Sequence, residues 1–232
     1  MTGDTCEQIT LVLLMKENSY QGLPIQGTLD SNSLLYLDKL LNTINLSLLE
    51  HPRTYAIRVD LRLPGFDVYD DCLSRDEIIS YNWDRINLMK RFIESLSAKV
   101  KAQTRRMCRE GKRARPCTVR YAWVRERYTS RNDHYHVVLF FNKDRYYKAG
   151  QYSSDGSLAS MIIDAWSSAL GCSLASNSRL VEFPKDHGYF LNENDRNFSQ
   201  QYSDLFHRIS YMAKKRTKHY GEGRRCFGCS SR

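Results

Sequence analysis

Apolar residues recur at helical spacing over 32–50, NSLLYLDKLLNTINLSLLE, where Leu34, Leu37, Leu41, Ile44 and Leu48 form one stripe and His51-Pro52 ends it. The pattern then changes to strict alternation. In TYAIRVDLRLP, 54–64, Ala56, Arg58, Asp60 and Arg62 alternate with Tyr55, Ile57, Val59, Leu61 and Leu63, which predicts a strand stopping at Pro64-Gly65. After a loop holding DVYDD, helical spacing returns from Trp83 to about Arg109, with Ile86, Leu88 or Met89, Ile93, Leu96 and Val100 on one face and GKRARP as the break. TVRYAWVRERY, 118–128, and HYHVVLFFN, 134–142, read as two strands joined by TSRND, a link of hairpin length. SLASMIIDAWSSALG, 157–171, predicts a helix with Gly171 as its C-cap, SRLVEF a short strand near 179–183, and 198–218 a last helix.

With the leader and the last helix set aside, the order is strand, helix, strand, strand, helix, strand. That order predicts an α+β fold of the split βαβ kind: a ferredoxin-like, RRM-like βαββαβ antiparallel sheet with helices on one face and the other face open for a site. Residues 1–52 then form an N-terminal helical extension, and 53–232 the main domain.

Composition narrows the class. No apolar run approaches the roughly 18 residues that span a bilayer, and the best early candidate, TLVLLM at 10–15, is short and follows an acidic start. The expectation is therefore a cytoplasmic protein without a membrane partner. Seven cysteines, scattered and odd in number, argue against a disulfide framework, and Cys226-Phe-Gly-Cys229 without a second ligand pair reads as a tail turn. The net charge of +9 is uneven, because Lys99, Lys101, Arg105, Arg106, Arg109, Lys112, Arg113, Arg115 and Arg120 face only Glu110 between 99 and 120, and KKRTKHYGEGRR follows near the end. Such clusters suit a phosphate backbone, although a solvated helix face has the same composition. The candidate DNA contacts are Arg105, Arg106, Arg109, Lys112, Arg113 and Arg115, with Lys215, Arg216 and Lys218 in the second run.

The candidate chemistry begins with His134 and His136, which alternation puts on one face of their strand with Val138 and Phe140. Two imidazoles on one face can chelate a metal, and packed or surface histidines give the same pattern. Glu126, close to the connecting turn on the preceding strand, is placed to become a cross-strand neighbour and third ligand, or else an exposed acid paired with Arg125 or Arg127. Two nitrogens and a carboxylate suit Mn²⁺ or Mg²⁺ acting on phosphate. In DLFHRISYMAKKRTK, Leu205, Ile209 and Met212 form the packing stripe, while His207, Tyr211, Lys214 and Lys218 recur on another face. Tyr211 is a candidate nucleophile with Lys214 as its neighbouring cation, or an amphipathic tyrosine at a helix edge. Tyr121, Trp123 and Tyr128 are candidates for stacking bases.

The strand-borne HYH, the acid on the preceding strand and the downstream Tyr211-Met-Ala-Lys214 together resemble the HUH endonucleases. More narrowly, RVDLRLP, WVRE, HYHVVLFFNKD, YMAK and RRCFGCS are similar to the replication-initiation proteins of inoviruses and their prophage relatives, over roughly residues 50–232. The resemblance implies sequence-specific nicking and joining of single-stranded or extruded origin DNA to start rolling-circle replication, with a host helicase as a candidate partner. It implies that His134 and His136 bind the divalent metal, that Tyr211 forms a 5′-phosphotyrosine and frees a 3′-hydroxyl, and that Lys214 neutralises the scissile phosphate. Glu126 takes the third-ligand role, with His187 of KDHGY as its rival. Tyr135 stands where the family usually has an aliphatic residue, and neither Tyr202 nor Tyr220 is followed by lysine at the third place, so the resemblance is to a single-tyrosine enzyme. A transposase or relaxase of the same superfamily, or a DNA-binding regulator without nicking activity, is the alternative.

Overall fold

Alternating side chains in six segments build one antiparallel sheet, in a computed structural model that describes residues 18–63, 87–127, 133–151, 156–171, 180–218 and 224–231. The leader run 10–15, the DVYDD loop, Pro64-Gly65, the start of the second helix at 83–86, Tyr128, most of the TSRND turn, residue 179 and Tyr220 lie outside these residues. A two-stranded hairpin, β1 (Ser19–Tyr20) and β2 (Leu23–Pro24), precedes α1 (Leu34–Glu50). The sheet then draws on β3 (Arg53–Arg62), β4 (Arg120–Glu126), β5 (His134–Asn142), β6 (Val181–Glu182), β7 (Gly188–Asn192) and β8 (Phe227–Cys229). Helices α2 (Leu88–Arg109), α3 (Leu158–Leu170) and α4 (Phe198–Ser210) complete the fold. The spatial order is β6-β3-β5-β4-β8, with β7 pairing on β3 as well, and every pairing is antiparallel.

Helices α2 and α3 share one face of the sheet. They bury Phe92, Leu96, Ile162 and Trp166 against Ile57, Val59, Leu61, Val137 and Leu139. The opposite face is not left open, which corrects the expected one-sided layering. Helices α1 and α4 cover much of it, packing Leu37, Leu40, Ile44, Leu205 and Ile209 on Ala56, Ala122, Val124, Val138 and Phe140. The physical reason lies in β5, whose continuous run from Val137 to Phe141 is fully buried and so needs an apolar partner on both sides. Leu34, at the first turn of α1, lies off this contact and is exposed.

Local chemistry explains several boundaries. Ser157 caps α3 by accepting the Ser160 N–H at 3.0 Å, and Gly171 closes the helix at φ 72°, a left-handed conformation that glycine adopts without a Cβ clash. No residue of α2 beyond Val100 is buried, so its basic half extends past the core. Four elements had no signal in the periodicity: the hairpin strands β1 and β2, β7, and β8, which turns the expected tail turn into an edge strand on β4, with Cys226 and Cys229 outside any disulfide. Among the described residues, no helix is long and apolar enough to cross a membrane.

The last helix also differs from expectation. It ends at Ser210 rather than 218 and continues as two tight turns, Tyr211–Ala213 and Lys215–Thr217. Tertiary partners replace the helical ladder there: the Ala213 carbonyl accepts from Ser33 N at 2.8 Å, and Lys215 N donates to the Ser31 carbonyl at 3.0 Å. Gln26 N donates to Ser210 Oγ at 2.8 Å, and Asn32 bridges to Lys214. The segment between β2 and α1 therefore sets the position of Tyr211.

Candidate functional site

The antiparallel register brings three strands to one point. His134 lies opposite Glu126 on β4 and Arg62 on β3, and His136 opposite Val124 and Asp60. Residues directly opposite in such a ladder share a face, so Asp60, Glu126, His134 and His136 converge on the side carrying α1 and α4, at the end those helices leave uncovered. Among the described residues, Glu126, His134 and His136 form a group whose ligand atoms all lie within 4.8 Å of one another. Glu126 is not the exposed acid the sequence allowed. It is buried, and its Oε1 accepts from Thr217 Oγ1 at 2.7 Å and from Lys218 Nζ at 2.6 Å, while Oε2 lies 3.3 Å from His136 Nε2.

Asp60 is a site residue to which the sequence alone assigned no role. Its Oδ1 is 2.7 Å from His136 Nδ1, and Arg58 Nη2 lies 3.4 Å from Asp60 Oδ2 and 3.3 Å from the same imidazole nitrogen. The alternation of β3 already showed Arg58, Asp60 and Arg62 on one face. What was missing was the register that sets Asp60 against His136.

The electrostatics suit a cation. Burial opposes ionisation of Glu126, but the His136 hydrogen bond, Lys218 and Thr217 together outweigh it and hold the carboxyl down at about 2. Asp60 is half-buried, and although that burial opposes its ionisation, His136 and Arg58 hold it below its ordinary range. Burial, reinforced by the neighbouring His136 charge, lowers His134 and leaves its ring nitrogen available as a lone-pair donor at neutral pH. His136 is also disfavoured as a cation by burial, yet the hydrogen bonds to Asp60 and Glu126 raise it above its usual value. Two imidazoles and an ionised carboxylate, with a second carboxylate on the far nitrogen of one ring, form a group that could hold a metal ion.

Tyr211 stands beside this group. Its ring is edge-on to His136 with centroids 5.7 Å apart and planes at 85°. Lys214 Nζ sits 4.5 Å from the ring centroid and the Arg58 guanidinium carbon 6.0 Å from it, so two cations border the phenol. Tyr211 is half-buried, and that burial, followed by the charge of Glu126, pushes its phenol above the ordinary value near 10. The phenol is therefore protonated at neutral pH, and any group that neutralises Glu126 eases its ionisation.

The other residues singled out in the sequence do not all gather here. His187 hydrogen-bonds through Nδ1 to the Pro184 carbonyl at 3.0 Å and stacks edge-on to Phe183, outside the cluster. Lys218, read as a DNA contact, is withdrawn from solvent into its pair with Glu126, with no exposed side-chain surface. Lys215 and Arg216 are exposed on the turn after Tyr211, with Lys215 Nζ donating to the Asp30 carbonyl. Arg105, Arg106 and Arg109 belong to α2, on the other face of the sheet, and Lys112, Arg113 and Arg115 lead into Pro116 and Cys117, which contact Asn142 at the far end of β5. His134 and Asn142 are eight residues apart, about 26 Å at the rise of an extended strand. Tyr121 and Trp123 likewise face away from the histidines, toward α2 and α3.

Residues 15–230 match the family described as "YagK/YfjJ C-terminal domain". Two relatives come from Escherichia coli (strain K12). The uncharacterized protein YfjJ is 40% identical over 206 residues, covering 86% of this chain and 95% of its own. The uncharacterized protein YagK is 38% identical over 205 residues, covering 88% and 96%. No solved structure matches the chain.

Proposed function

The chain belongs to the YagK/YfjJ C-terminal domain family, and we propose that it is a metal-dependent, single-tyrosine DNA endonuclease and strand transferase of the HUH type. It nicks and rejoins single-stranded or extruded origin DNA, starting rolling-circle replication of a phage, prophage or plasmid. The observation that carries this reading is the approach of Tyr211, from a segment remote in sequence, to the group of buried Glu126 and His136 with half-buried His134. We read the strand order β6-β3-β5-β4, with α2 and α3 as the connections, as the ferredoxin-like arrangement expected for such an enzyme.

His134 Nε2 or Nδ1, His136 Nε2 and Glu126 Oε2 would hold the ion, which supplies charge withdrawal from a phosphate oxygen when bound. Asp60 fixes the His136 ring through Nδ1. Tyr211 Oη attacks the scissile phosphorus and its proton leaves to solvent or a site base, while the P–O3′ bond breaks and O3′ takes up a proton from solvent, giving a 5′-phosphotyrosine and a free 3′-hydroxyl. Lys214 and Arg58 offset the negative charge that gathers on phosphate and phenol. The ester conserves the energy of the broken bond, so the 3′-hydroxyl can reverse the attack and rejoin the strand.

Incubation with labelled single-stranded origin candidates and Mn²⁺, followed by peptide mass spectrometry, should find a nucleotide adduct on Tyr211. The Tyr211→Phe variant should bind the same DNA and form none. Equal nicking by that variant ends the assignment.

A further inference from the structure

Behind the histidine pair, on the other face of the sheet, the first two turns of α2 together with β4, β5 and β8 enclose a cleft of about 660 Å³. That volume falls within the range of about 300–1,000 Å³ usual for ligand sites. Its floor is aromatic, with Tyr121 and Trp123 from β4 and Tyr135 from β5, the last two edge to face at 6.0 Å. Trp123 stands opposite Gly228 of β8, where a Cβ would come within 2.6 Å of the indole. The glycine lets the ring lie against the edge strand. Unlike Trp166, which is wholly buried in the same layer, Trp123 keeps part of its surface open and lines the cleft.

The rim is cationic. Lys90 and Arg225 are exposed and Arg224 is partly spent on Asp133 at 3.4 Å, while Glu94 is the acid on the α2 side, in a loose 4.0 Å pair with Lys90. Open aromatic surface between positive side chains is the arrangement that takes a base on its face and the adjoining phosphates at its edges. The register locates the cleft closely: Arg125 opposite Tyr135 points into it, and the next pair, Glu126 opposite His134, points to the metal group.

We propose that this cleft binds an unpaired nucleotide of a DNA strand, the base against Trp123 and the flanking phosphates at Lys90 and Arg225. The inference draws on the nicking reading for its ligand class. The nucleotide held there flanks the nick and is separated from the scissile phosphate by the thickness of the sheet, so the strand passes around the β8 edge between the two.

The test uses the full chain in EDTA, where binding is read without metal or chemistry. Fluorescence anisotropy with labelled oligothymidylate of about 12 nucleotides should show affinity falling about tenfold or more in the Lys90→Glu/Arg225→Glu variant, two exposed sites whose change leaves the fold intact by circular dichroism. Oligonucleotides carrying 5-iodouracil should photocross-link to the peptide containing Trp123. Affinity of the charge-swapped variant within about twofold of the unaltered chain overturns the proposal. So does displacement of the oligonucleotide by millimolar ATP, which would make the cleft a free-nucleotide site. Tyr211→Phe should bind the oligonucleotide as the unaltered chain does, and a missing Tyr211 adduct would end the nicking reading without touching this measurement.

Discussion

Lys218 reaches Glu126 at 2.6 Å, Nζ to Oε1, from the turn that follows Tyr211, and both side chains are withdrawn from water. One ion pair thus ties the segment bearing the candidate nucleophile to a candidate metal ligand. Removing one partner strands the other: Lys218→Met leaves a buried carboxylate without its cation, and breaking such a pair costs about 3–5 kcal/mol. Urea denaturation should show that loss, and Lys218→Met/Glu126→Leu should recover most of it because neither charge of the pair remains. A single variant as stable as the unaltered chain would show that Thr217 and His136 suffice to hold Glu126.

Within the histidine and Glu126 group, Asp60 reaches the far nitrogen of His136, at 2.7 Å, and so holds the ring's orientation. Loss of such a partner weakens metal binding about 10- to 100-fold. Titration calorimetry with Mn²⁺ on Asp60→Asn should show a drop of that size with the stoichiometry unchanged. Affinity equal to that of the unaltered chain would remove Asp60 from the site.

His51 couples stability to pH at the opposite end of the sheet. Its Nε2 accepts the Thr118 backbone N–H at 3.3 Å, which requires the neutral ring, and burial lowers its proton affinity below the ordinary 6.5. A histidine lowered on folding binds fewer protons in the native state, so its contribution is fully present above about pH 6.5 and is lost as pH falls toward the folded value. The melting temperature should therefore fall more between about pH 7.5 and about pH 5.5 in the unaltered chain than in His51→Gln. Parallel curves would show that the ring keeps its ordinary titration.

How much of this was legible depends on range. Strand β5 begins and ends where the alternation places it, α3 closes at Gly171 as expected, and the Glu126–His134 pairing follows from a hairpin whose strands are neighbours in sequence. Asp60 was visible as a polar position but not as a partner, because alternation fixes a face and not the register between strands some 76 residues apart. The end of α4 was hidden for the same reason, since Ser31 and Ser33 take the backbone groups that a local reading gives to the helix. Strand β8, three residues long, is too short for a period to show.

The basic run near 105–115 makes the last case, because its charge was plain in the sequence and its location was not. The residues occupy the exposed end of α2 and the following coil, about 26 Å along the sheet from the histidines and reached from the other face. A short oligonucleotide spanning the nick cannot bridge both places, whereas longer DNA can. Replacing Arg105, Arg106, Arg109 and Lys112 by glutamate should therefore leave Tyr211 adduct formation on a short single-stranded substrate unchanged and weaken binding to long DNA. The weakening should be electrostatic: in anisotropy titrations, the slope of log K against log salt should shrink by about 0.7 for each single-strand phosphate that the protein no longer neutralises. An equal loss of cleavage on the short substrate would mean that these side chains act at the nick, and would require a DNA path quite different from one that enters at the β4–β5 end of the sheet.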